Sequence, residues 1–363
     1  MRDLNKLDLE DQTALKNSGV LLDGPISGDF FQQDGIIASF QSFSEDLDIM
    51  DIREALKKFP EISKYYGKAM KLTNKEYPLD TEGGYFIRVK TGAKINLPIQ
   101  ACLFLKAQGF KQKVHNLIIL EENSSVNLVT GCTASKSANE SIHVGVSEFF
   151  IGKNAKLNFT MIHSWKEDIC AKPITAAILE KNATFISNYI CLKSVRNVTM
   201  YPAAMLSGEK ARAFFNSIIL AHPGSDFDIG SKVTFEKEDT KAEVITKVVS
   251  MGGKVIARGH LKADSNKIKG HLECQGLLIS KKGNIRAIPE LEANCENIDL
   301  SHEASIGKIN QEEIGYLRSR GISEKNAKTM IVGGFLNPEM LDIPYVTKKQ
   351  IENLEEKLLN KVF

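Results

Sequence analysis

Six cysteines are spread through the 363 residues: Cys102, Cys132, Cys170, Cys191, Cys274 and Cys295. No two stand close together, and neither a C-x-x-C pair nor an H-E-x-x-H motif occurs. His115, His143, His163 and His271 also fall at no metal-binding interval, so a preformed zinc site is not expected. One window does gather groups that ligate transition metals. Between Cys274 and Glu303 lie Cys274, Glu290, Glu292, Cys295, Glu296, His302 and Glu303. Cys295 has the polar neighbours Glu292, Asn294, Glu296 and Asn297, an unusual setting for a core thiol. Cys274 lies in the strand-like alternation Leu272-Glu-Cys-Gln-Gly-Leu277, where an inward small residue is an equal reading. His302 and Glu303 read as ligands or, equally, as strand-end caps that pair with Lys308. Cys102, Cys132, Cys170, Cys191 and Trp165 read as packing residues, and Arg258 and His260 as internal hydrogen-bonding partners.

The elements that would position this window are short strands. Runs such as Tyr85–Val89, Val144–Ile151, Phe185–Cys191 and Val244–Ser250 are rich in β-branched and aromatic residues, with turn residues between them. No helix of ordinary length fits between about Gly83 and Leu300. Within this stretch an apolar pair, a polar turn, a small residue and a new strand recur. The small residues are Ser124, Ala155, Ala183, Ala211 and Thr240, spaced 31, 28, 28 and 29 apart. A near-constant period of strand and turn predicts a β-solenoid, whose turns bury their apolar faces only by stacking.

The flanks differ. Leu9–Lys16 and Asp51–Phe59 read as short helices, the second stopped by Pro60, with a weakly periodic segment between them. Asn310 with Glu313 opens a helix that stops at Gly321, and Ser323 opens a second that Gly333, Gly334 and Pro338 bound. Thr347 with Gln350 opens a last amphipathic helix carrying Ile351, Leu354, Leu358 and Val362. The expected organisation is an N-terminal helical or irregular region over 1–80, a solenoid core over 81–303 and a C-terminal helical domain over 304–363.

Composition limits the partners. The formal net charge is +2, from 47 basic and 45 acidic residues, and no polybasic patch invites nucleic acid. No stretch approaches the roughly 20 apolar residues of a membrane span. Met1–Leu9 carries Arg2, Asp3, Lys6 and Asp8 and does not read as a secretory signal. A cytoplasmic protein with free thiols is expected.

The stretch Ser301-His-Glu-Ala-Ser-Ile-Gly-Lys308, followed by Tyr316-Leu-Arg-Ser-Arg-Gly-Ile322, Glu324, Ala327 and Ile331-Val-Gly-Gly-Phe335, resembles the C-terminal signature of the SufB/SufD family. Glu122–Ala134 and Cys274-Gln-Gly-Leu-Leu-Ile279 also fit that family. The resemblance covers about residues 80–340. It implies a mainly β fold, a right-handed parallel β-helix between N- and C-terminal helical parts, with two copies paired through the end of the helix. It implies that the C-terminal helices dock a SufC-like ABC ATPase, and that the complex assembles a transient iron–sulfur cluster of 4Fe–4S type for apo-proteins. No G-x-x-x-x-G-K-[ST] loop occurs, so ATPase activity is expected only in that partner and the chain is expected to be a scaffold, not an enzyme. Mixed ligation is compatible with release of a cluster. The two cysteine positions of the family pattern fall on Gly283 and Ala204 in this sequence, so the candidate ligand set is taken from the window's own residues: Cys295, Cys274, Glu292, His302 and Glu303.

Three readings stay open. The chain is a homodimeric scaffold, favoured because Ser-His-Glu-Ala is closer to the SufB than to the SufD form of the motif. Or it is a SufD-like accessory subunit that pairs with a separate SufB as a heterodimer. Or it is a β-helix interaction module that binds no metal. A polysaccharide-cleaving β-helix is disfavoured, since its acidic residues would recur at one position of the repeat.

Overall fold

The computed structural model describes residues 4, 7–73, 81–337 and 345–362. Half of the chain is strand and 18% is helical, arranged as a parallel β-solenoid of about eight turns with helices at its ends. The N-terminal part holds helix α1 (Leu9–Asn17), strands β1 (Gly28–Gln33), β2 (Ile36–Ser42) and β3 (Leu47–Asp51), and helix α2 (Ile52–Lys58). Asp8 caps α1 by accepting from the Asp11 amide, and Asp51 caps α2 through the Arg53 amide. Two 3₁₀ turns follow, Pro60–Lys64 and Ala69–Leu72.

The solenoid strands are β4 (Tyr85–Val89), β5 (Ile99–Leu105), β6 (Lys111–Leu120), β7 (Ser125–Ala134), β8 (Ile142–Ile151), β9 (Lys156–Ser164), β10 (Cys170–Leu179), β11 (Thr184–Cys191), β12 (Asn197–Met200), β13 (Ala203–Leu206), β14 (Arg212–Ala221), β15 (Asp226–Phe235), β16 (Lys241–Ser250), β17 (Lys254–Ala263), β18 (Ile268–Leu278), β19 (Asn284–Ala293) and β20 (Ile298–Lys308). The chain ends in helices α3 (Gln311–Ser319), α4 (Glu324–Leu336) and α5 (Tyr345–Val362).

Two ten-stranded sheets face each other. Sheet A runs β2-β1-β5-β7-β9-β11-β14-β16-β18-β20, and sheet B runs β19-β17-β15-β12-β10-β8-β6-β4-β3, with β13 beside β12 as its tenth strand, paired to β10 and β15. Within the solenoid all pairings are parallel. The apolar core fills the lumen between the sheets, with Phe149, Phe159, Phe185 and Phe215 stacked along it.

The corners explain the period. Ser124, Ala155, Ala183, Ala211 and Thr240 are at most 1% exposed. Each follows a residue in the left-handed region: Asn123, Asn154, Asn182, Lys210 and Asp239, with φ between 57° and 61°. Asn and Asp tolerate that conformation better than other side chains. The three asparagines also form a ladder, Asn182 donating to Asn154 and Asn154 to Asn123, each at 2.9 Å. A chain leaving such a corner runs straight into the lumen, where only a small side chain fits.

The segment between α1 and α2, expected to be weakly periodic or irregular, folds as three strands. β1 and β2 form an antiparallel hairpin on Asp34-Gly35, with Asp34 at φ 50°. Asp-Gly between apolar runs is a strong signal for a two-residue hairpin turn. The α4 helix starts at Glu324 behind the Ser323 cap, as expected, and ends at Leu336, one residue past the expected end near Phe335; Pro338 lies outside the described residues. The last helix begins at Tyr345, two residues before the expected Thr347.

Helices cover the outer face of sheet A. Val332 and Leu336 of α4 and Ile351, Leu354 and Leu359 of α5 pack on Ile162, Ile190, Ile218, Val249 and Leu277. The outer face of sheet B is covered in its early turns by Ile52, Ala55, Ile62, Ala69 and Met70.

Candidate functional site

Strand alternation and register decide what each residue of the 274–303 window can reach. Leu272 of β18 belongs to the lumen core, and His302 of β20 is its direct parallel partner. Cys274, two residues beyond Leu272, faces the lumen as well. It continues an inward column of Tyr189, Ser217 and Thr246 and is followed by Ala304. Strand geometry puts the Cα atoms of Cys274 and His302 about 8 Å apart.

Both border one cleft at the C-terminal end of the lumen. The opposite wall comes from sheet B and is built of small or short residues: Ala257, Gly259, Ala287 and Pro289. The two walls touch at Gly259, where a Cβ would lie 2.9 Å from Leu272 Cδ2. The cleft is narrow, with a volume of about 20 Å³ open to a water-sized sphere. It opens because β19 and β20 are the last strands of their sheets. Among the described residues no further turn covers them, and Leu291 and Ile306 are each 41% exposed.

Burial pushes the Cys274 thiol up to about 11, so it is protonated at neutral pH. A metal would have to displace that proton. Cys102, Cys132 and Cys191 are fully buried, and burial raises all three thiols; they are core residues, as their settings suggested. Trp165 is likewise buried, between His143 and His163.

The other candidates stand elsewhere. Glu303 lies opposite Glu273 and takes the outward alternation of β20, at the rim of the cleft. Both His302 and Glu303 sit in the middle of β20, which runs on to Lys308, and neither caps a strand end. Glu292 takes the outward side of sheet B. Its carboxylate accepts from Asn294 Nδ2 at 3.2 Å and lies 3.3 Å from Lys262 Nζ and 3.4 Å from His260 Nε2. The Asn294 bond and the Lys262 charge hold that carboxyl below its ordinary value. Cys295 is half-buried in the corner between β19 and β20, beside Asn294, which donates to Asp264 at 2.7 Å. Six residues of strand separate Ile298 from Ala304, so Cys295 stands at least about 20 Å along the strand from the level of Cys274.

A single chain therefore gathers Cys274, His302 and Glu303, and keeps Cys295 and Glu292 apart from them. Among the described residues no three His, Cys, Asp or Glu side chains converge as a complete metal site. Arg258 and His260 face outward, Arg258 in a two-bond ion pair with Asp228 at 2.5 and 3.0 Å. The small wall and the Glu273–Glu303 pair escaped the sequence reading. Aligning the window on its 30-residue repeat would have set Leu272 against His302 and Glu273 against Glu303.

Residues 103–335 match the family described as "SUF system FeS cluster assembly, SufBD core domain". The chain is 45% identical over 351 residues to an iron–sulfur cluster assembly SufBD family protein of Archaeoglobus fulgidus, covering 95% of this chain and 94% of the relative. It is 38% identical over 327 residues to a protein of the same description from Methanothermobacter thermautotrophicus, covering 88% and 80%. It is 34% identical over 319 residues to the iron–sulfur cluster assembly protein SufB of Bacillus subtilis, covering 84% and 68%.

Proposed function

This chain belongs to the SufBD family of SUF-system iron–sulfur cluster assembly proteins, and from that premise we propose that it is a scaffold on which a cluster is assembled at the open last turn of the solenoid. One observation carries the reading: Cys274 and His302 share the cleft where the lumen opens. The cluster is cargo, held for transfer to apo-proteins, and 4Fe–4S is the proposed form.

A second copy of the chain covers the open end and supplies the remaining ligands. The free edges of β19 and β20 and the exposed Leu291 and Ile306 support this, since unpaired edges and apolar residues at a sheet end invite a partner. Cys274 and His302 form the primary ligand pair, and Glu303, on the outward face at the rim, joins them only if the last turn rearranges. Cys295 and Glu292 join the pair from the partner copy or after rearrangement of the last turn.

A SufC-like ABC ATPase is the proposed partner of the C-terminal helices, where Tyr316, Met330 and Tyr345 are each more than half exposed. Nucleotide-driven closure of that ATPase moves the helices and opens the interface. The chain itself acts as a scaffold in the cytoplasm. Among the described residues no helix is long and apolar enough to cross a membrane.

Anaerobic reconstitution with iron and sulfide, with and without the ATPase, tests the proposal on wild type, Cys274→Ala and Cys295→Ala. Sulfur-to-iron charge-transfer absorption in wild type that Cys274→Ala loses supports the cleft as the assembly site. Loss only in Cys295→Ala moves the site to the corner. No absorption in wild type, even with the ATPase, favours the accessory-subunit reading, in which another family member holds the cluster, or a module that binds no metal.

A further inference from the structure

The outer face of β18 carries a second set of contacts that bears on Cys274. α4 packs its Val332 and Leu336 against Val249 of β16 and Leu277 of β18, and Leu277 is only three residues from Cys274. Between this apolar footprint and the Glu273–Glu303 pair lies one cation, Lys247 of β16. It is the register partner of Gln275, and its Nζ lies 6.0 Å from the centroid of the Phe335 ring of α4. Gln275 in turn donates to Glu273 Oε1 at 2.5 Å. Burial pulls the Lys247 ammonium below its ordinary value, and the Glu273 carboxylate acts against that shift. Among the described residues Lys247 makes no ion pair within 4 Å, so its charge is held between a helix and a neighbouring carboxylate. Glu273 and Gln275 flank Cys274 on its own strand, pointing out where Cys274 points in.

We propose that Lys247 is a positioning residue that couples α4 to the Cys274 segment of β18. With α4 docked, Lys247 is confined beneath Phe335 and its charge offsets the like-charged pair Glu273 and Glu303, which keeps residues 273–275 in register. When α4 lifts, Lys247 swings into water, the two carboxylates repel across the strands, and the segment that carries the thiol loosens at the end of the sheet. The use of such a device rests on the scaffold reading. The coupling itself does not need iron or a partner.

Spatial contiguity alone does not establish coupling, and a double-mutant cycle does. The readout is the alkylation rate of Cys274 by iodoacetamide, resolved by peptide mass spectrometry on the full chain without iron or ATPase. Half-buried Cys170 on β10 is the internal control. Phe335→Ala is expected to speed Cys274 alkylation about fivefold, within the range for contacting residues, and to leave Cys170 unchanged. Lys247→Met, which keeps the apolar stem, should give most of that increase alone, and the double variant should add less than about twofold. Lys247→Arg should retain the wild-type rate. Equal effects of Phe335→Ala in both backgrounds, no effect of Phe335→Ala, or parallel acceleration of Cys170 would overturn the proposal. Each of these outcomes leaves the reconstitution result standing on its own.

Discussion

Leu272 of β18 and His302 of β20 are direct register partners, so an imidazole occupies the lumen column that an aliphatic side chain fills one turn earlier. Unlike Leu272, which is buried, His302 is exposed, because β20 is the last strand of its sheet. His302→Leu is expected to keep the fold and to change stability to urea by no more than about 0.5 kcal/mol, as at other exposed positions. The same variant should fail to retain iron and sulfide. Unchanged cluster retention in His302→Leu would remove His302 from the ligand group.

Cys274 allows a test by pH. Its thiol is shifted from an ordinary value near 9 to about 11 by burial. Its alkylation rate should then rise about tenfold per pH unit from pH 7 and show no plateau near pH 9. The folded chain keeps the proton while the unfolded chain loses it first. Stability is therefore lost as pH rises from about 9 to 11, and Cys274→Ser should flatten that part of the unfolding profile. A rate that levels off by pH 9 would mean that the thiol is solvated.

The solenoid was legible because its corners repeat. A left-handed residue and a small buried one recur at Asn154-Ala155 and Asn182-Ala183, and both leave a mark on sequence spacing. The placement of the ligand candidates was less legible. Cys274 and Glu303 are 29 residues apart in sequence, yet one points into the lumen and the other away from it, because alternation along a strand reverses at each residue. Cys295 looked accessible from its polar neighbours, and it is half-buried in a corner, but composition does not report its distance along the strand from Cys274. The N-terminal hairpin was missed for a different reason: the Asp34-Gly35 turn is a two-residue signal within a segment of weak periodicity.

Glu148 is a core carboxylate held by three partners. Fully buried on β8, it accepts from the Gly67 and Ala69 amides at 2.5 and 2.7 Å and meets His115 Nε2 at 2.8 Å. It thus ties the strap over residues 60–73 to sheet B. Glu148→Ala leaves two amides and an imidazole buried without that partner, and is expected to cost about 3–5 kcal/mol. Proteolysis should then begin within residues 60–73 while the later solenoid turns stay protected. Uniform cleavage along the chain would show that Glu148 supports the whole fold and not the strap alone.

Glu355 makes the docking of α5 depend on pH. Only 7% exposed, it sits on the same helix face as Ile351 and Leu354, and its carboxylate fills the space beside Gly333 of α4, where a Cβ would lie 3.3 Å from Glu355 Oε1. Burial, with the nearby Glu352, raises it from an ordinary 4.5 to about 7. The folded state binds the proton more tightly than the unfolded one, so its stabilising effect is complete below pH 4.5 and is lost as pH rises towards 7. The α5 amides should accordingly exchange with deuterium more slowly at pH 5 than at pH 8, after correction for intrinsic exchange. Glu355→Gln keeps the shape without the charge and should exchange at the slow rate at both pH values. If wild type and Glu355→Gln show the same pH response, the carboxylate is hydrated and the docking of α5 is set by its apolar face alone.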